Sequence, residues 1–284
     1  MTPGRYYTLL LVLPVVAFSL FFFVVPISFI ARISFYKTAI NLPYIHGSTL
    51  ESYVRFLSDS YYLGILFNTL KLGFLVTILS LVAGYLPAYV IGREENPGRR
   101  NLYLVLIMIP MWTNMLVRLY GWVVILGKKG LINNALIYTG ILTEPFKLLY
   151  NFPSVAIVQC FAVSLPYVIL TLSSVIQGID RSLFEVSIGL HASRFRTFFE
   201  VSLPLSLPGI IASSTIAFVW AIEAYAVPSF LGSPFEKTMS MEAYFQMIES
   251  QNWPFSCVIS IIIFVITAAV TLVAQKGALV KHAR

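Results

Sequence analysis

From Asp180 to Pro208 the chain reads DRSLFEVSIGLHASRFRTFFEVSLPLSLP, and this stretch is not built like a plain connector. Ser182 and Glu185 stand at the S-x-x-E spacing of a capping box, in which each side chain satisfies a backbone donor left open at a helix start. Leu183, Phe184, Ile188, Phe195, Phe198 and Phe199 are too apolar for a solvated turn, so a partner surface is expected to cover them. Pro204 and Pro208 stop that helix and restart the chain as a longer apolar run. The expectation is a short helix over about 182–200, set between two far more apolar segments.

Those flanking segments are membrane spans by composition. Of 284 residues, 58% are hydrophobic and 11% charged, against roughly 25% charged in a soluble domain, too few to clothe a water-soluble core. A bilayer core of about 30 Å takes about 20 mostly apolar residues per helix, so stretches between charges can be read as crossings. No charge falls between Arg5 and Arg32, Lys71 and Arg93, Lys147 and Asp180, Glu200 and Glu223, or Glu249 and Lys276, and a further apolar stretch carries only Arg118. Six spans are predicted, at about 8–34, 63–92, 102–126, 153–178, 205–231 and 254–275, in one all-α, polytopic membrane domain filling residues 1–284.

Orientation follows from the cations. A cytoplasmic N-terminus puts Arg5, Arg93, Arg99, Arg100, Arg181, Arg194, Arg196, Lys276, Lys281 and Arg284 inside, and the smaller set Lys37, Arg55, Lys128, Lys129, Lys147 and Lys237 outside. The positive-inside rule therefore favours a multi-pass protein with both termini and the 182–200 helix in the cytoplasm. The net charge of +7 is scattered between apolar runs, which fits lipid headgroups rather than nucleic acid. The first apolar run is too long for a signal-peptide core and no small-residue cleavage site follows Phe35, so it is expected to remain as an anchor. Cys160 and Cys257 lie in apolar stretches and are expected to be buried thiols. Pro14, Pro26, Pro87, Pro110 and Pro166 fall within spans, either as tolerated kinks or as hinges of a gate.

The 180–208 stretch resembles the cytoplasmic loop of permease subunits of binding-protein-dependent ABC importers, which runs roughly E-A-A-x-x-L-G-A-S, then F, then L-P. The matching residues are Glu185, Leu190, Ala192, Ser193, Phe198 or Phe199, Leu203 and Pro204, followed by Pro208, Gly209 and Ile210. Val186 and Ser187 replace the two alanines, and His191 replaces the glycine, whose lack of a side chain suits a turn of positive φ. PMWTNMLVRLYGW (Pro110–Trp122), GLIN (Gly130–Asn133), AYAVPSFLG (Ala224–Gly232) and NWPF (Asn252–Phe255) extend the resemblance and look most like the spermidine/putrescine branch, though permeases for ferric iron, thiamine, opine-like compounds and oxyanions share them.

The resemblance implies the type I ABC importer permease fold. It also implies that the loop is a coupling helix docking on an ATPase subunit through Glu185, Ser187, Ile188, Leu190, His191, Ala192, Ser193 and Phe195. Glu185 is read both as a cap and as a docking residue, and His191 either bears the turn or reaches into the ATPase cleft. The implied partners are an ATPase dimer, which binds the ATP and Mg²⁺, a second homologous permease, an external substrate-binding protein and the bacterial inner-membrane bilayer.

Charges inside a membrane usually face a cavity or a partner. Arg118 is placed among Trp112, Asn114, Tyr120 and Trp122, where it would line an outer vestibule, pair with an acid of a sister subunit, or snorkel to the interface. Glu223 with Tyr225 suits an ammonium group by ion pairing and cation–π attraction, and the competing reading pairs Glu223 with Arg118, Lys71 or a sister residue. Lys71 reads as a snorkelling anchor. Met241, Tyr244, Phe245 and Ile248 recur at helical spacing in Glu236–Pro254, which suits either a membrane-surface helix or a face for the binding protein.

Other classes fit less well. The chain has no G-x-x-x-x-G-K-[ST] phosphate loop, so ATP hydrolysis is assigned to a partner rather than to this chain. His46, His191 and His282 fall in separate loops, giving no catalytic or metal constellation. A stand-alone channel or secondary transporter would show a filter or paired repeats.

Overall fold

The computed structural model describes residues 3–39 and 43–282, and the side chains of residues 3–11, Ile188, Arg194 and 277–282 lie outside the described set. The predicted contact residue Ile188 and the terminal cations Arg5, Lys281 and Arg284 thus have no described side chain. Among the described residues the regular structure is helical, apart from one isolated antiparallel bridge between Lys37 and Ile45.

In chain order the helices are α1 (Pro3–Ser34), α2 (Glu51–Ser58), α3 (Ser60–Arg93), α4 (Pro97–Trp112), α5 (Met115–Leu126), α6 (Leu131–Tyr138), α7 (Phe152–Val158) and α8 (Leu165–Gln177). They continue with α9 (Ser182–Gly189), α10 (Arg194–Thr197), α11 (Leu203–Leu205), α12 (Leu207–Ile222), α13 (Ala226–Leu231), α14 (Met239–Tyr244) and α15 (Trp253–His282). Three π-helical turns, Gln159–Ser164, Phe198–Ser202 and Phe245–Glu249, interrupt the α-geometry.

Val12–Ser34, Ser60–Arg93, Phe152–Gln177 and Trp253–Lys276 are each long and apolar enough to cross a bilayer. Two bent pairs raise that number to six if each is one span: Pro97–Trp112 with Met115–Tyr138 at 94°, and Phe195–Leu205 with Leu207–Ile222 at 65°. The third apolar stretch, expected as one helix over 102–126, is therefore broken. Pro110 tightens the end of α4, where the Thr113 N–H reaches back to its carbonyl at 3.3 Å. Asn114 then caps a new helix by accepting the Leu116 N–H at 2.9 Å. The stretch expected over 205–231 also divides, because α12 ends at Ile222 and α13 starts afresh at Ala226.

The chain forms two compact units, Met1–Leu63 with Glu242–Phe264, and Gly64–Met241 with Val265–Arg284. In the second unit α12 lies along α8. Small residues make that approach possible: Gly209, Ser213, Ala217 and Ala221 are buried at one per turn, and a Cβ on Gly209 would sit 2.9 Å from Val175. On α3, a Cβ at Gly73 would sit 2.7 Å from both Phe218 and Ile222 of α12. Leu72, Val76, Leu119, Phe152, Val155 and Val227 form one apolar core, and Ala88, Ile91, Val168, Leu172, Ile176 and Ala217 another. Cys160 is a buried free thiol that accepts from Ser80 Oγ at 3.2 Å.

In the first unit Phe56 stacks on Tyr62, which meets Phe255 edge-on, and the Arg55 guanidinium lies 4.8 Å from the Phe255 ring. Glu242, only 1% exposed, accepts from Gln246 Nε2 at 2.8 Å and from the Tyr61 hydroxyl at 3.4 Å. Of the residues expected on one helical face of the 236–254 segment, Tyr244, Phe245 and Ile248 are exposed and Met241 is half-buried.

Candidate coupling segment and pathway residues

The helix expected at 182–200 is two short helices folded back on each other, α9 and α10, not one. Its start is capped differently from the S-x-x-E expectation: Asp180 accepts the Ser182 N–H at 2.9 Å, which makes Ser182 the first helical residue. The Ser182 backbone N–H, helped by its hydroxyl, holds the Asp180 carboxyl below the usual aspartate range. Glu185 is left exposed on α9. A sequence holding Asp180 and Ser182 two residues apart offers two capping residues, and the charged one takes the role.

At its other end α9 closes with the Ala192 N–H bonded to the Ser187 carbonyl at 3.1 Å, while His191 adopts φ 58°. This is a Schellman closure, whose left-handed position glycine normally fills. The expectation that this position needs a positive φ is thus met by a histidine, at a cost of about 1–2 kcal/mol. Ser193 Oγ accepts from the Arg196 N–H at 3.2 Å and starts α10. The Ser187 and Thr197 hydroxyls, both buried, meet at 2.6 Å and hold the two helices together.

The pair has a fastened side and an open side. Phe184, only 2% exposed, lies beneath the Arg93 guanidinium at 3.4 Å, so the expected apolar contact surface does not include it. Arg181 pairs with Glu95 at 3.0 Å on the surface. Phe198 presents its ring edge-on to Tyr85 and Tyr89 of α3 at 5.4 and 5.5 Å, and the Tyr85 hydroxyl meets Ser206 Oγ at 2.8 Å just before α12. On the open side stand Leu183, Val186 and Phe199, with Leu190 at 77% and Phe195 at 75% exposure. His191 and Ser193 are also exposed, and Ala192 is half-buried.

The predicted pathway residues fall at two helix corners. Trp112 is exposed at the end of α4, Asn114 caps α5, and Arg118 lies one turn further on. Arg118 donates through Nη1 to the Ala162 carbonyl, and its Nε is buried with no hydrogen-bond partner. Ala162 lies in the last turn before Pro166, a residue that brings no amide donor to the backbone there. The π turn at Gln159–Ser164 widens the backbone at the same place. Arg118 was expected at a vestibule, a sister acid or the interface; the contact seen within the chain is with a carbonyl in the neighbouring span.

Glu223 ends α12 and Tyr225 starts α13. Glu223 is exposed and forms no ion pair among the described residues, which corrects the expectation of a bond to Arg118 or Lys71. Lys71 instead places Nζ 4.5 Å from the centre of the Phe152 ring. Tyr120 of α5 meets Phe230 of α13 edge-on at 5.8 Å. Sequence reasoning missed Gln159, Tyr167 and Trp220. Gln159 Nε2 donates to the Trp220 carbonyl at 2.9 Å, and the Tyr167 and Trp220 rings stack at 5.1 Å with 23° between their planes.

Comparison with known proteins places these features in context. The family model for "Binding-protein-dependent transport system inner membrane component" matches residues 80–280. A protein of Haemophilus influenzae named spermidine/putrescine transport system permease protein PotB is 33% identical over 258 residues, covering 91% of this chain and 89% of that one. The PotB of Escherichia coli K12 is 30% identical over 225 residues, covering 79% and 81%. In fold, the chain is similar to a bacterial ABC transporter involved in import of the acidic polysaccharide alginate, with TM-score 0.75, 17% identity and coverage of 97% and 96%.

Proposed function

Since this chain belongs to the family of binding-protein-dependent transport system inner membrane components, and so is a permease subunit of an ABC importer, we propose that α9 and α10 are its handle for a separate ATPase and that its cargo is a small amine-bearing solute. The observation that carries the first part is the open apolar edge of Leu183, Val186, Leu190, Phe195 and Phe199. A contiguous apolar edge on a helix pair that is pinned from behind is what a docking surface requires.

The pinning supplies the coupling. A load on the edge passes through Phe184 to Arg93, and through Phe198 to Tyr85 and Tyr89, so α9 and α10 cannot shift without moving α3. Through Ser206 it also reaches the start of α12. ATP closing a partner dimer would draw two such handles together and shift a paired pathway from inward-open to outward-open, a population shift set by the contacts made in each state. The partners are the ATPase dimer, a second permease and an external binding protein. Both termini and the handle are cytoplasmic, on the strength of the cation distribution.

The amine reading of the cargo is supported by the exposed carboxylate of Glu223 beside Tyr225, and by the names of the PotB relatives. Leu190→Asp with Phe195→Asp tests the handle. The expected result is a subunit that inserts in the membrane but neither retains the ATPase on purification nor supports ATP-driven uptake. Normal uptake by this variant would remove the segment from coupling. Uptake by the reconstituted importer, screened across spermidine, ferric iron, thiamine and oxyanions, is expected to respond to the amine.

A further inference from the structure

Every turn of α12 carries one small residue toward α8, and beside that stripe runs a second, Ala212, Ile216, Trp220 and Glu223, at helical spacing. Trp220 is 43% exposed and Glu223 is exposed. A carboxylate is a poor residue to set against lipid. Trp220 is not a loose surface ring. Its carbonyl is held by Gln159, itself 1% exposed, and its indole is stacked on Tyr167, which presents two flat aromatic rings in a fixed pose.

Glu223 sits at the C-terminal pole of α12, where the helix dipole also attracts a cation. Lys71 lies against the Phe152 ring and Arg118 bonds the Ala162 carbonyl, so neither pairs with Glu223. Aromatic faces, a carboxylate and a helix C-terminus favour one chemistry, a positive group bearing N–H donors.

We infer that Trp220, stacked on Tyr167 and set one turn before Glu223, is a specificity-determining residue that receives the alkylammonium group of the cargo during passage. This rests on the amine-cargo reading above and names the residues that would enforce it. Cation–π attraction at a partly desolvated indole makes the expected effect of losing it about 2- to 30-fold.

The test uses the complete importer in liposomes, with its ATPase, sister permease and binding protein, and reads spermidine carried per ATP hydrolysed. Trp220→Leu is expected to lower that ratio by about 2- to 30-fold, and Trp220→Phe, which keeps a ring on Tyr167, by less. A ring that serves only packing would depress hydrolysis and uptake together, leaving the ratio level, and a level ratio in Trp220→Leu overturns the inference. If that variant does not assemble, Trp220→Phe and Tyr167→Leu carry the same comparison, and a level ratio in both is equally fatal. Should the unsubstituted importer carry no spermidine under ATP, the amine reading itself fails and this inference falls with it.

Discussion

Ala162 lies in a π turn, and the guanidinium of Arg118, arriving from another helix, bonds its carbonyl. In a membrane no water competes for the group, so the arginine satisfies a debt of the backbone while finding a partner for its own charge. Arg118→Leu is expected to lower stability by about 1–3 kcal/mol, the usual cost of stranding a buried acceptor. Thermal unfolding of the solubilised complex measures the loss, and an unchanged midpoint would mean that the contact carries no stability.

His191 is the counterpart at the coupling segment: the alignment of its position with a glycine made the positive φ readable in advance, because only one backbone geometry explains that preference. Arg118 was not readable in this way. Composition marked it as a charge needing a partner, but the partner is a carbonyl 44 residues away, in a π turn of another helix. Trp220 was hidden for a similar reason, since an aromatic in an apolar run has no periodic signature separating a packed ring from a displayed one.

Among the elements, the spans themselves were legible, because uncharged stretches of that length have few other uses. Their breaks were less so. Pro110 and Asn114 each carry a local signal, yet the 94° turn follows from their acting together at adjacent ends of α4 and α5. Helix was expected at 182–200 and is found there, but the Ser187–Thr197 contact that joins its two pieces across a turn pairs neutral residues that no spacing rule singles out. Helix approach was likewise invisible until the partner helix was known. At Gly73 any side chain would meet Phe218 and Ile222 of α12 at 2.7 Å. Gly73→Val is therefore expected to overpack this crossing and destabilise by about 1–3 kcal/mol. The check is the fraction of monodisperse protein recovered after mild heating, which Gly73→Ala should reduce less.

For the whole molecule, the two sides of the α9–α10 pair have separate consequences. The fastened side, through Arg93 and the tyrosines of α3, makes the segment part of the membrane bundle rather than a free loop. The open side leaves Leu190 and Phe195 bare in the isolated chain. With the proposed ATPase as the partner of this edge, a subunit synthesised in excess of it would carry an adhesive surface of the kind by which chaperones and proteases detect orphans. Its lifetime in the cell should lengthen when the ATPase is co-expressed, and Leu190→Asp with Phe195→Asp should erase that dependence, as a pulse-chase would register. The dosage of one gene product would then set the survival of the other, and the grip that moves the pathway would double as the mark by which an unassembled copy is culled.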